Sequence, residues 1–392
     1  MNFSPQQAGA LDAVSRWLRS SSRPFFYLAG YAGTGKTTLA RHFAEGLDGP
    51  VVYGSFTGKA ASVMRASGCR DATTIHRLIY GPAHKGTARL KHLQEQLAGA
   101  EGPRVDALRA EIQQEVDRLK TPNFRLNPDA EVRNAALIVI DECSMVSQIM
   151  GEDLLSFGVP VLVLGDPAQL PPVGGAGYFT SGEPDVMLTE VHRQAAESGI
   201  LRLATDVREG RALRYCDLGD AQVMARGDLD PADVPSYDQV LVGRNGTRNA
   251  TNVRMRQLLG RTDPFPEVGD RLVCLRNNHE LGLLNGEIYY SAGSADIDDA
   301  KLQLYVEPDG GGEVQSVEAW RAPFLGQKLE HWDHSRDVQE FAYGYVLTCH
   351  KAQGSQWPRV IVFDESSTFR ADAQKWLYTA ITRASDYLTV IR

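Results

Sequence analysis

The chain has 392 residues, more than one compact core accommodates, and we expect two to four domains. Its contents of 43% hydrophobic and 23% charged residues are ordinary for a soluble globular protein. The formal net charge of −8 argues against a protein that binds polyanions with its whole surface, although a local basic groove can lie on an acidic protein.

The cysteines and the apolar runs narrow the class further. Five scattered cysteines form no C-x-x-C pair, so neither a zinc site nor a disulfide framework is expected, and free thiols fit a reducing cytoplasm. The segment MNFSPQQAGA lacks the basic and apolar regions of a signal peptide. The apolar runs, such as residues 136–140, are too short to span a bilayer.

A helix is predicted to begin the chain, with Ser4 as N-cap and Pro5 at the first helical position. Gln6 or Gln7 lies in its first turn. Because a phosphate-binding turn follows, the amide of one of these glutamines is a candidate to read an adenine edge, and a solvated side chain is the alternative.

Residues 26–38, FYLAGYAGTGKTT, are the stretch around which the chain is organised. An apolar strand leads into a turn that matches G-x-x-x-x-G-K-[ST] at every fixed position, and a helix follows. The glycines let backbone N–H groups converge on an anion at a helix N-terminus. Lys36 is predicted to reach the β- and γ-phosphates and Thr37 to hold Mg²⁺. The predicted nucleotide-binding residues of this turn are Gly33, Thr34, Gly35, Lys36, Thr37 and Thr38.

A second apolar strand, residues 51–56, also runs into a helix, here through Thr57 and Lys59. Such a junction can hold a phosphate of a nucleic-acid backbone. His76 lies in a further polar stretch ahead of a helical pattern, and packing or capping is the alternative for this histidine.

Residues 81–128 differ from their surroundings. The spacing of Leu90, Leu93 and Leu97 predicts one helix, and the spacing of apolar residues from Leu108 to Leu119 predicts a second. We expect a helical hairpin inserted into an α/β domain.

Two carboxylates, Asp141 and Glu142, end the buried strand 137–142. At the carboxyl end of a strand, Asp141 is placed to hold Mg²⁺ through water and Glu142 to polarise the attacking water. The next all-apolar strand, residues 160–166, delivers Gln169 into a loop, where its amide can sense the γ-phosphate.

The second half of the chain carries no P-loop and must use the nucleotide of the first half or none. It contains a β-rich segment in which Gly and Asp fill the turns, as in a small antiparallel barrel. The predicted domains are a first α/β domain (1–80 and 129–187), the helical insertion (81–128), a second α/β domain (188–267 and 341–392) and the β insertion (268–340).

In their order along almost the whole chain, these motifs resemble the superfamily 1 helicases, and within them the RecD-like and Dda-like branch that moves 5′ to 3′. The nine matching segments are Gln7, GYAGTGKTT, FTGKAAS with TTIHRLI, DECSM, GDPAQLPPV, LTEVHRQ, GDRLVCLRNN with LNGEI, LTCHKAQGSQ and YTAITRA. Each match is weak alone, whereas nine in sequence are specific.

The resemblance implies an α/β fold of two RecA-like parallel-sheet domains, a helical insertion in the first and an SH3-like β-barrel in the second. It implies ATP and Mg²⁺ between the halves, Arg193 at the γ-phosphate, Arg383 as an arginine finger, and Gly354 among the cofactor-binding residues. Single-stranded and forked duplex DNA are the implied partners, besides single-strand-binding or replication and repair proteins, for a monomer in a bacterial or phage-infected cell. The implied DNA-gripping residues are Thr57, Lys59, His76, Thr348, His350 and Lys351.

Two features depart from the family. Gln356 stands in the motif LTCHKAQGSQ where the family usually has Glu, and the insertion at 81–128 is predicted helical where characterised relatives have a β-hairpin. The wedge residue of the family is therefore not transferred to this chain. The 81–128 insertion as a whole is a candidate strand-separating pin, with a solvated decoration as the alternative.

Other functions stay open at this point. An RNA-acting motor, or a translocase that does not unwind, would use the same motifs. A P-loop kinase would need a phosphoacceptor site and a lid, and a nucleotide-gated binding protein would not need the Asp141–Glu142 pair.

Overall fold

The computed structural model describes residues 3–20, 22–82, 88–99, 104–105, 108–109, 111–112, 124–171, 177–190, 198–278, 281–327, 329 and 338–392. The predicted γ-phosphate contact Arg193 and most of the second predicted helix of the 81–128 segment lie outside these described residues.

The first half of the chain is built on a parallel sheet. Its strands are β1 (Phe25–Gly30), β2 (Val51–Ser55), β3 (Thr73–Thr74), β4 (Tyr80–Pro82), β5 (Phe124–Leu126), β6 (Leu137–Asp141), β7 (Val161–Gly165) and β8 (Val186–Leu188). Six of them form one sheet in the order β3-β2-β6-β7-β1-β8, in which every neighbouring pair is parallel. The central strands are apolar along their length because a hydrophobic cluster covers each face of the sheet.

The α-helices whose bounds the described residues give in this half are α1 (Pro5–Ser20), α2 (Lys36–Glu45), α3 (Gly58–Ala66), α4 (Ile75–Ile79), α5 (Ala88–Ala98) and α6 (Gln148–Leu155). The predicted N-cap of α1 is confirmed, because the Ser4 hydroxyl accepts from the Gln7 backbone N–H at 3.3 Å. Gln7 Oε1 in turn accepts from the Ser4 N–H at 3.1 Å, which completes a capping box. Among the described residues, no helix has both the length and the apolar character needed to cross a bilayer.

The 81–128 segment begins and ends on a short antiparallel pair that the sequence pattern did not reveal. In it, β4 pairs with β5, and Tyr80 lies opposite Leu126. The Tyr80 hydroxyl donates to Asp153 on α6 at 2.6 Å, which ties the base of the insertion to the first half. The first predicted helix is confirmed as α5, with Leu93 buried, whereas the second falls largely outside the described residues.

The second half contains a second, mostly parallel sheet. The strands of the second half, including those of the β insertion, are β9 (Cys216–Asp217), β10 (Ala221–Met224), β11 (Gln239–Val242), β12 (Arg271–Cys274), β13 (Ile288–Asp296), β14 (Lys301–Pro308), β15 (Gln315–Trp320), β16 (Phe341–Tyr343), β17 (Val346–Thr348), β18 (Trp357–Phe363) and β19 (Ala384–Ile391). In the mostly parallel sheet the strand order is β17-β11-β18-β19-β10-β9, and among its described strands only the β9–β10 pair is antiparallel. The helices of this half are α7 (Gly199–Arg208), α8 (Asn245–Leu258) and α9 (Ala373–Ile381).

The β-rich segment forms a five-stranded antiparallel sheet in the order β15-β14-β13-β12-β16. The apolar stretch at residues 341–348 forms two strands rather than one. The chain changes sheets there, since β16 pairs with β12 and β17 pairs with β11. Gly344 separates the two strands, and a Cβ on it would lie 2.8 Å from the Leu272 carbonyl carbon. The close approach of two backbones therefore requires glycine at the point where the insertion rejoins the parallel sheet.

Candidate nucleotide site and strand-binding face

The turn between β1 and α2 has the backbone that a phosphate cradle requires. Gly33 and Gly35 have φ angles of 77° and 79°, a region that favours glycine. A Cβ on Gly30 would lie 2.6 Å from Thr34 Oγ1, so the turn folds tightly over the end of the strand. The turn then opens directly into α2, whose first turn contains Thr38.

The predicted cation and metal-binding residues lie at the start of α2. Lys36 Nζ donates to the carbonyl oxygens of Gly30 and Tyr31 at 2.7 and 3.1 Å, so the ammonium group is held over the turn. The Thr37 hydroxyl donates to Asp141 Oδ2 at 2.6 Å. This hydroxyl and carboxylate are hard oxygen donors of the kind that Mg²⁺ prefers, and they fit an ion that keeps its other ligands from water and phosphate.

Glu142 follows the metal-binding carboxylate in an unusual conformation. Its φ of 55° lies in the left-handed region that non-glycine residues seldom adopt, and its backbone N–H donates to Asp141 Oδ1 at 2.8 Å. Burial raises the pKa of the Glu142 carboxyl, and the Arg383 guanidinium opposes that rise. A carboxyl group with a raised pKa beside the metal-binding pair is suited to accept a proton from water.

Arg383 reaches this carboxylate from the second half of the chain. Its Nη1 atom lies 3.9 Å from Glu142 Oε1. The guanidinium is buried and donates to the carbonyl oxygens of Thr379 and Ser355 at 3.0 and 3.1 Å and to the Thr382 hydroxyl at 3.1 Å. These hydrogen bonds fix its direction before any ligand arrives, which is the condition for electrostatic stabilisation at low reorganisation cost.

Gln169 lies in the loop after β7 and is buried. Its backbone N–H donates to the Asp166 carbonyl oxygen at 3.1 Å, whereas its side-chain Oε1 has no hydrogen-bond partner among the described residues. A buried polar atom without a partner is costly, and a donor that arrives with a nucleotide and its water would satisfy it. The observation therefore fits the predicted position beside the γ-phosphate.

Gln7 is buried rather than solvated, which excludes the alternative weighed for it from the sequence. Its Nε2 donates to the Thr34 carbonyl oxygen in the P-loop at 3.0 Å. The amide thus lies against the nucleotide-binding turn, and reading of an adenine edge stays a prediction.

A tyrosine that the sequence pattern did not single out joins the two halves. The Tyr378 hydroxyl on α9 accepts from the Ala32 backbone N–H in the P-loop at 3.0 Å and donates to Asp166 Oδ2 at 2.7 Å. Tyr378 is 1% exposed, and burial raises the pKa of its hydroxyl, which therefore stays protonated. The signal was present in the motif YTAITRA, but only the tertiary fold shows which backbone groups the tyrosine meets.

Further contacts join the two halves, as the Tyr378 hydroxyl does. The Arg208 guanidinium lies 3.7 Å from the centre of the Tyr31 ring in the P-loop, a cation–π geometry. Next to Gln169, the Leu170 backbone N–H donates to Thr379 Oγ1 at 2.9 Å, and the Leu170 carbonyl accepts from Gln353 Nε2 at 2.8 Å. Both loops at the carboxyl edge of the first sheet are therefore held by groups of the second half.

The predicted strand-binding residues of the first half lie at the junctions of β2 with α3 and of β3 with α4. Thr57 caps α3, its Oγ1 accepting from the Ala60 N–H at 3.2 Å. A Cβ on Gly354 would lie 2.8 Å from Thr57 Oγ1. The structure thus brings Gly354, predicted to bind the cofactor, against a residue predicted to bind DNA. His76 lies between aromatic rings, 6.2 Å from Phe56 and 5.5 Å from Tyr80 between centres.

The matching residues of the second half follow β17. Thr348 is buried at its end, and the His350 ring packs 5.5 Å from the Phe369 ring, where burial lowers the pKa of the imidazole. Lys351 is exposed, yet desolvation by the surrounding protein, with repulsion from Arg248, lowers the pKa of its ammonium group to about 8. Lys59, in the first half, acts on Glu287 of the β insertion. Burial raises the pKa of the Glu287 carboxyl, and the Lys59 ammonium opposes that rise.

Comparison with known families agrees with this architecture. The family model described as AAA domain matches residues 2–224, and that described as UvrD-like helicase C-terminal domain matches residues 343–391. The chain is 27% identical to the ATP-dependent RecD2 DNA helicase of Deinococcus radiodurans over 98% of its own length and 48% of the relative. It is 24% identical to the ATP-dependent DNA helicase Pif1 of Bdellovibrio bacteriovorus over 91% of the chain and 80% of that protein.

Solved structures share the fold. A Pif1 helicase structure that concerns DNA unwinding at forked duplex DNA superposes with a TM-score of 0.56 and 17% identity, covering 100% of this chain and 92% of that one. The Pif1 helicase of Candida albicans superposes with a TM-score of 0.54 and 18% identity, covering 100% and 94%.

A parallel sheet that carries a P-loop, a second and mostly parallel sheet, and a buried arginine from the second half define a P-loop protein with one site shared by two α/β halves. The chain belongs to the AAA domain family, and it is similar to RecD and Pif1 helicases. It spans about half the length of its RecD2 relative.

Proposed function

We propose that the chain is an ATP-dependent DNA helicase that moves 5′ to 3′ on single-stranded DNA and unwinds duplex. The observation that carries the proposal is the approach of Arg383 to within 3.9 Å of Glu142, directly beside the Thr37–Asp141 pair. Hydrolytic groups from one sheet thus meet a buried cation from the other. The likeness to RecD2 and Pif1 supports DNA as the track.

The residues divide the chemistry between the two halves. Lys36 binds the β- and γ-phosphates, Glu142 accepts the proton of the attacking water, and Gln169 orients that water or the γ-phosphate. When bound through Thr37 and Asp141, Mg²⁺ neutralises phosphate charge. Arg383, with Arg193 proposed beside it, stabilises the charge that develops on the leaving γ-phosphoryl group. The nucleotide is held by the P-loop residues Gly33 to Thr38, with Gln7 at the adenine and Gly354 at the far side of the cleft.

The coupling of ATP hydrolysis to movement on DNA follows from the position of the nucleotide cleft between the two halves. Closure around ATP draws the two sheets together, and hydrolysis releases them, which gives a two-state element. Two sets of residues grip the strand alternately. One set is Thr57, Lys59 and His76, and the other is Thr348, His350 and Lys351. One loop links both sites, since Gly354 lies against Thr57 and the adjacent Gln353 donates to the Leu170 carbonyl oxygen beside Gln169, so a change in one site alters the other.

We further propose the domain limits stated from the sequence, with the β insertion of 268–340 extended through β16 to Tyr343. The 81–128 insertion is the body that separates the strands, and the β insertion is an SH3-like module. The β4–β5 pair and the Tyr80–Asp153 hydrogen bond fix the base of the 81–128 insertion to the first half.

Replacing residues 90–119 by a short Gly-Ser loop should keep DNA-stimulated ATP hydrolysis and abolish unwinding. Unwinding at the wild-type rate would assign strand separation to another part of the chain.

The test of the proposal uses two forked duplexes of the same sequence, one with a 5′ loading tail and one with a 3′ tail. Unwinding that requires ATP and the 5′ tail is expected, together with ATP hydrolysis that single-stranded DNA stimulates and RNA of the same sequence does not. Equal stimulation by RNA would indicate the RNA-acting motor. Stimulated hydrolysis without any strand separation would indicate a translocase.

A further inference from the structure

A cavity of about 530 Å³ lies outside the nucleotide cleft, between α8 of the second half and the turn at residues 323–326 of the β insertion. Its volume falls in the range of ~300–1,000 Å³ that is usual for sites of small organic ligands. Its lining combines an apolar wall with a few polar groups, and the residues used here are Arg248, Asn249, Val253, Phe324, Leu325 and Tyr343.

The inner wall of this cavity is rigid. Arg256 on α8 donates to both oxygens of the fully buried Asp270, at 3.0 Å from Nε and 2.9 Å from Nη2, and its guanidinium lies 4.5 Å from the centre of the Tyr343 ring. The same carboxylate accepts from Tyr345 Oη at 2.9 Å and pairs with Arg261 at 2.7 Å. Glu267 also pairs with Arg256 at 3.1 Å, so two carboxylates balance the charges of these two arginines, which are not available to a ligand.

Arg248 lines the same cavity but differs from these two arginines in its partners. Its described hydrogen bonds go to the amide oxygen of the adjacent Asn249, at 3.1 Å from Nε and 2.9 Å from Nη2, and no carboxylate pairs with it among the described residues. Desolvation lowers the pKa of the guanidinium, which nevertheless stays charged because arginine is so basic. Its charge also acts on Lys351, so two cations without a described ion pair lie near each other.

The topology places this pair of cations on the strand-binding side. Arg248 lies in the first turn of α8, directly after the carboxyl end of β11, and Lys351 follows the carboxyl end of the neighbouring strand β17. Asn252 links the two elements, since its side chain exchanges hydrogen bonds with the Val346 N–H and carbonyl oxygen at 3.1 and 3.0 Å. The end of the cavity that Arg248 lines therefore lies beside the proposed path of the DNA backbone.

A neighbouring pair of cations attracts phosphate, whereas an aromatic and aliphatic pocket with side-chain amides accepts a flat heterocycle. We propose that the cavity receives one unstacked base of the bound single strand, with Arg248 on the adjoining phosphate. This inference rests on the proposed function. An acidic peptide would satisfy the cations, but it would not account for the continuity with the strand-binding residues.

The experiment uses the full chain and short oligonucleotides that carry 5-iodouracil, a photoreactive base, at single positions. Irradiation of the wild-type complex should attach one labelled position to Phe324 or Tyr343, as peptide mass spectrometry would show. Arg248→Ala should weaken strand binding about tenfold, since it removes a phosphate contact and loosens a stacked base. Arg254→Ala is the matched control, because Arg254 is exposed on the same helix outside the cavity lining, and it should stay within about twofold of wild type.

A second variant keeps the inference testable if Arg248→Ala folds poorly. Val253→Trp fills the cavity from an exposed position of α8 and should remove the crosslink while DNA-stimulated ATP hydrolysis persists. If wild type binds DNA and hydrolyses ATP but gives no crosslink there, and Arg248→Ala equals Arg254→Ala, the cavity inference fails and the proposed function stands. Saturable binding of free thymidine monophosphate without a DNA crosslink would assign the cavity to a soluble nucleotide. Absence of any DNA binding would overturn both.

Discussion

The two sides of the nucleotide cleft differ in how their polar groups are held. On the first half, Lys36, Thr37 and Glu142 lie on turns at the carboxyl edge of the sheet and are partly exposed. On the second half, Tyr378 is 1% and Arg383 5% exposed, and both have hydrogen bonds that fix their direction.

This difference separates binding from turnover. Partly exposed groups on a Gly-rich turn can admit a nucleotide, whereas buried and pre-oriented groups on the other side act only when the two sheets are together. We therefore expect substitutions of the P-loop residues Lys36 and Thr37 to affect binding and chemistry together, and substitutions in the second half to affect chiefly the transition state.

The largest effect in the first half is expected for Lys36→Ala. The transferring phosphoryl group loses a positioned cation, so the DNA-stimulated kcat should fall about 10²-fold or more. Lys301→Ala is the control, since Lys301 lies in the β insertion with a partly exposed ion pair to Glu318, and its kcat should not change. Hydrolysis by Lys36→Ala within a few-fold of wild type would remove the P-loop from the mechanism.

Glu142→Gln should lower kcat about 10²-fold with nucleotide binding retained, because the proton acceptor is lost.

The pH dependence of kcat gives a second test of the Glu142 carboxyl group. Because burial raises the pKa of Glu142, wild-type kcat should decline toward acid at a higher pH than an ordinary glutamate gives. Arg383→Ala should move that decline to still higher pH, since the guanidinium favours the charged carboxylate. A decline at the same pH in both proteins would show that Glu142 is not the titrating group.

Tyr378→Phe tests the link between the halves with a matched control. Removing this hydroxyl breaks the hydrogen bonds to Ala32 and Asp166 and should lower DNA-stimulated kcat about five- to tenfold, with a smaller change in KM. Tyr27→Phe removes a hydroxyl that is equally buried but has no partner among the described residues, so its kinetics should stay near wild type. Equal behaviour of the two variants would reduce Tyr378 to a packing residue.

The smallest predicted effect concerns Lys351. Its pKa of about 8 means that the charge is present at pH 7 and largely lost at pH 9. Affinity for single-stranded DNA should therefore fall a few-fold over that range, as one phosphate contact weakens. Lys351→Arg should flatten the change because the guanidinium stays charged. The same decline in Lys351→Arg would place the titrating group elsewhere on the strand-binding face.

Local sequence patterns accounted for much of the first half. The β1–turn–α2 unit, the Ser4 cap and the apolar strands were predictable because glycine spacing, capping residues and unbroken apolar runs each have a local cause. The β-rich character of the 268–340 segment was predictable for the same reason.

Features that depend on distant backbone could not be predicted. The change of sheets at Gly344 results from a close approach to Leu272, and the role of Tyr378 results from its contacts with Ala32 and Asp166. Neither contact leaves a periodic signal in the sequence. The β4–β5 pair was missed because it is only three residues long on each side.

The account as a whole depends on a site shared by the two halves. Its most direct test is Arg383→Ala, with the nucleotide Kd and the single-turnover rate of ATP hydrolysis measured on the same DNA-bound sample. We expect the rate to fall about 10³-fold while the Kd changes by only a few-fold, because an arginine supplied across the cleft acts on the transition state. An equal loss in Kd and rate, or a loss in neither, would contradict the shared site.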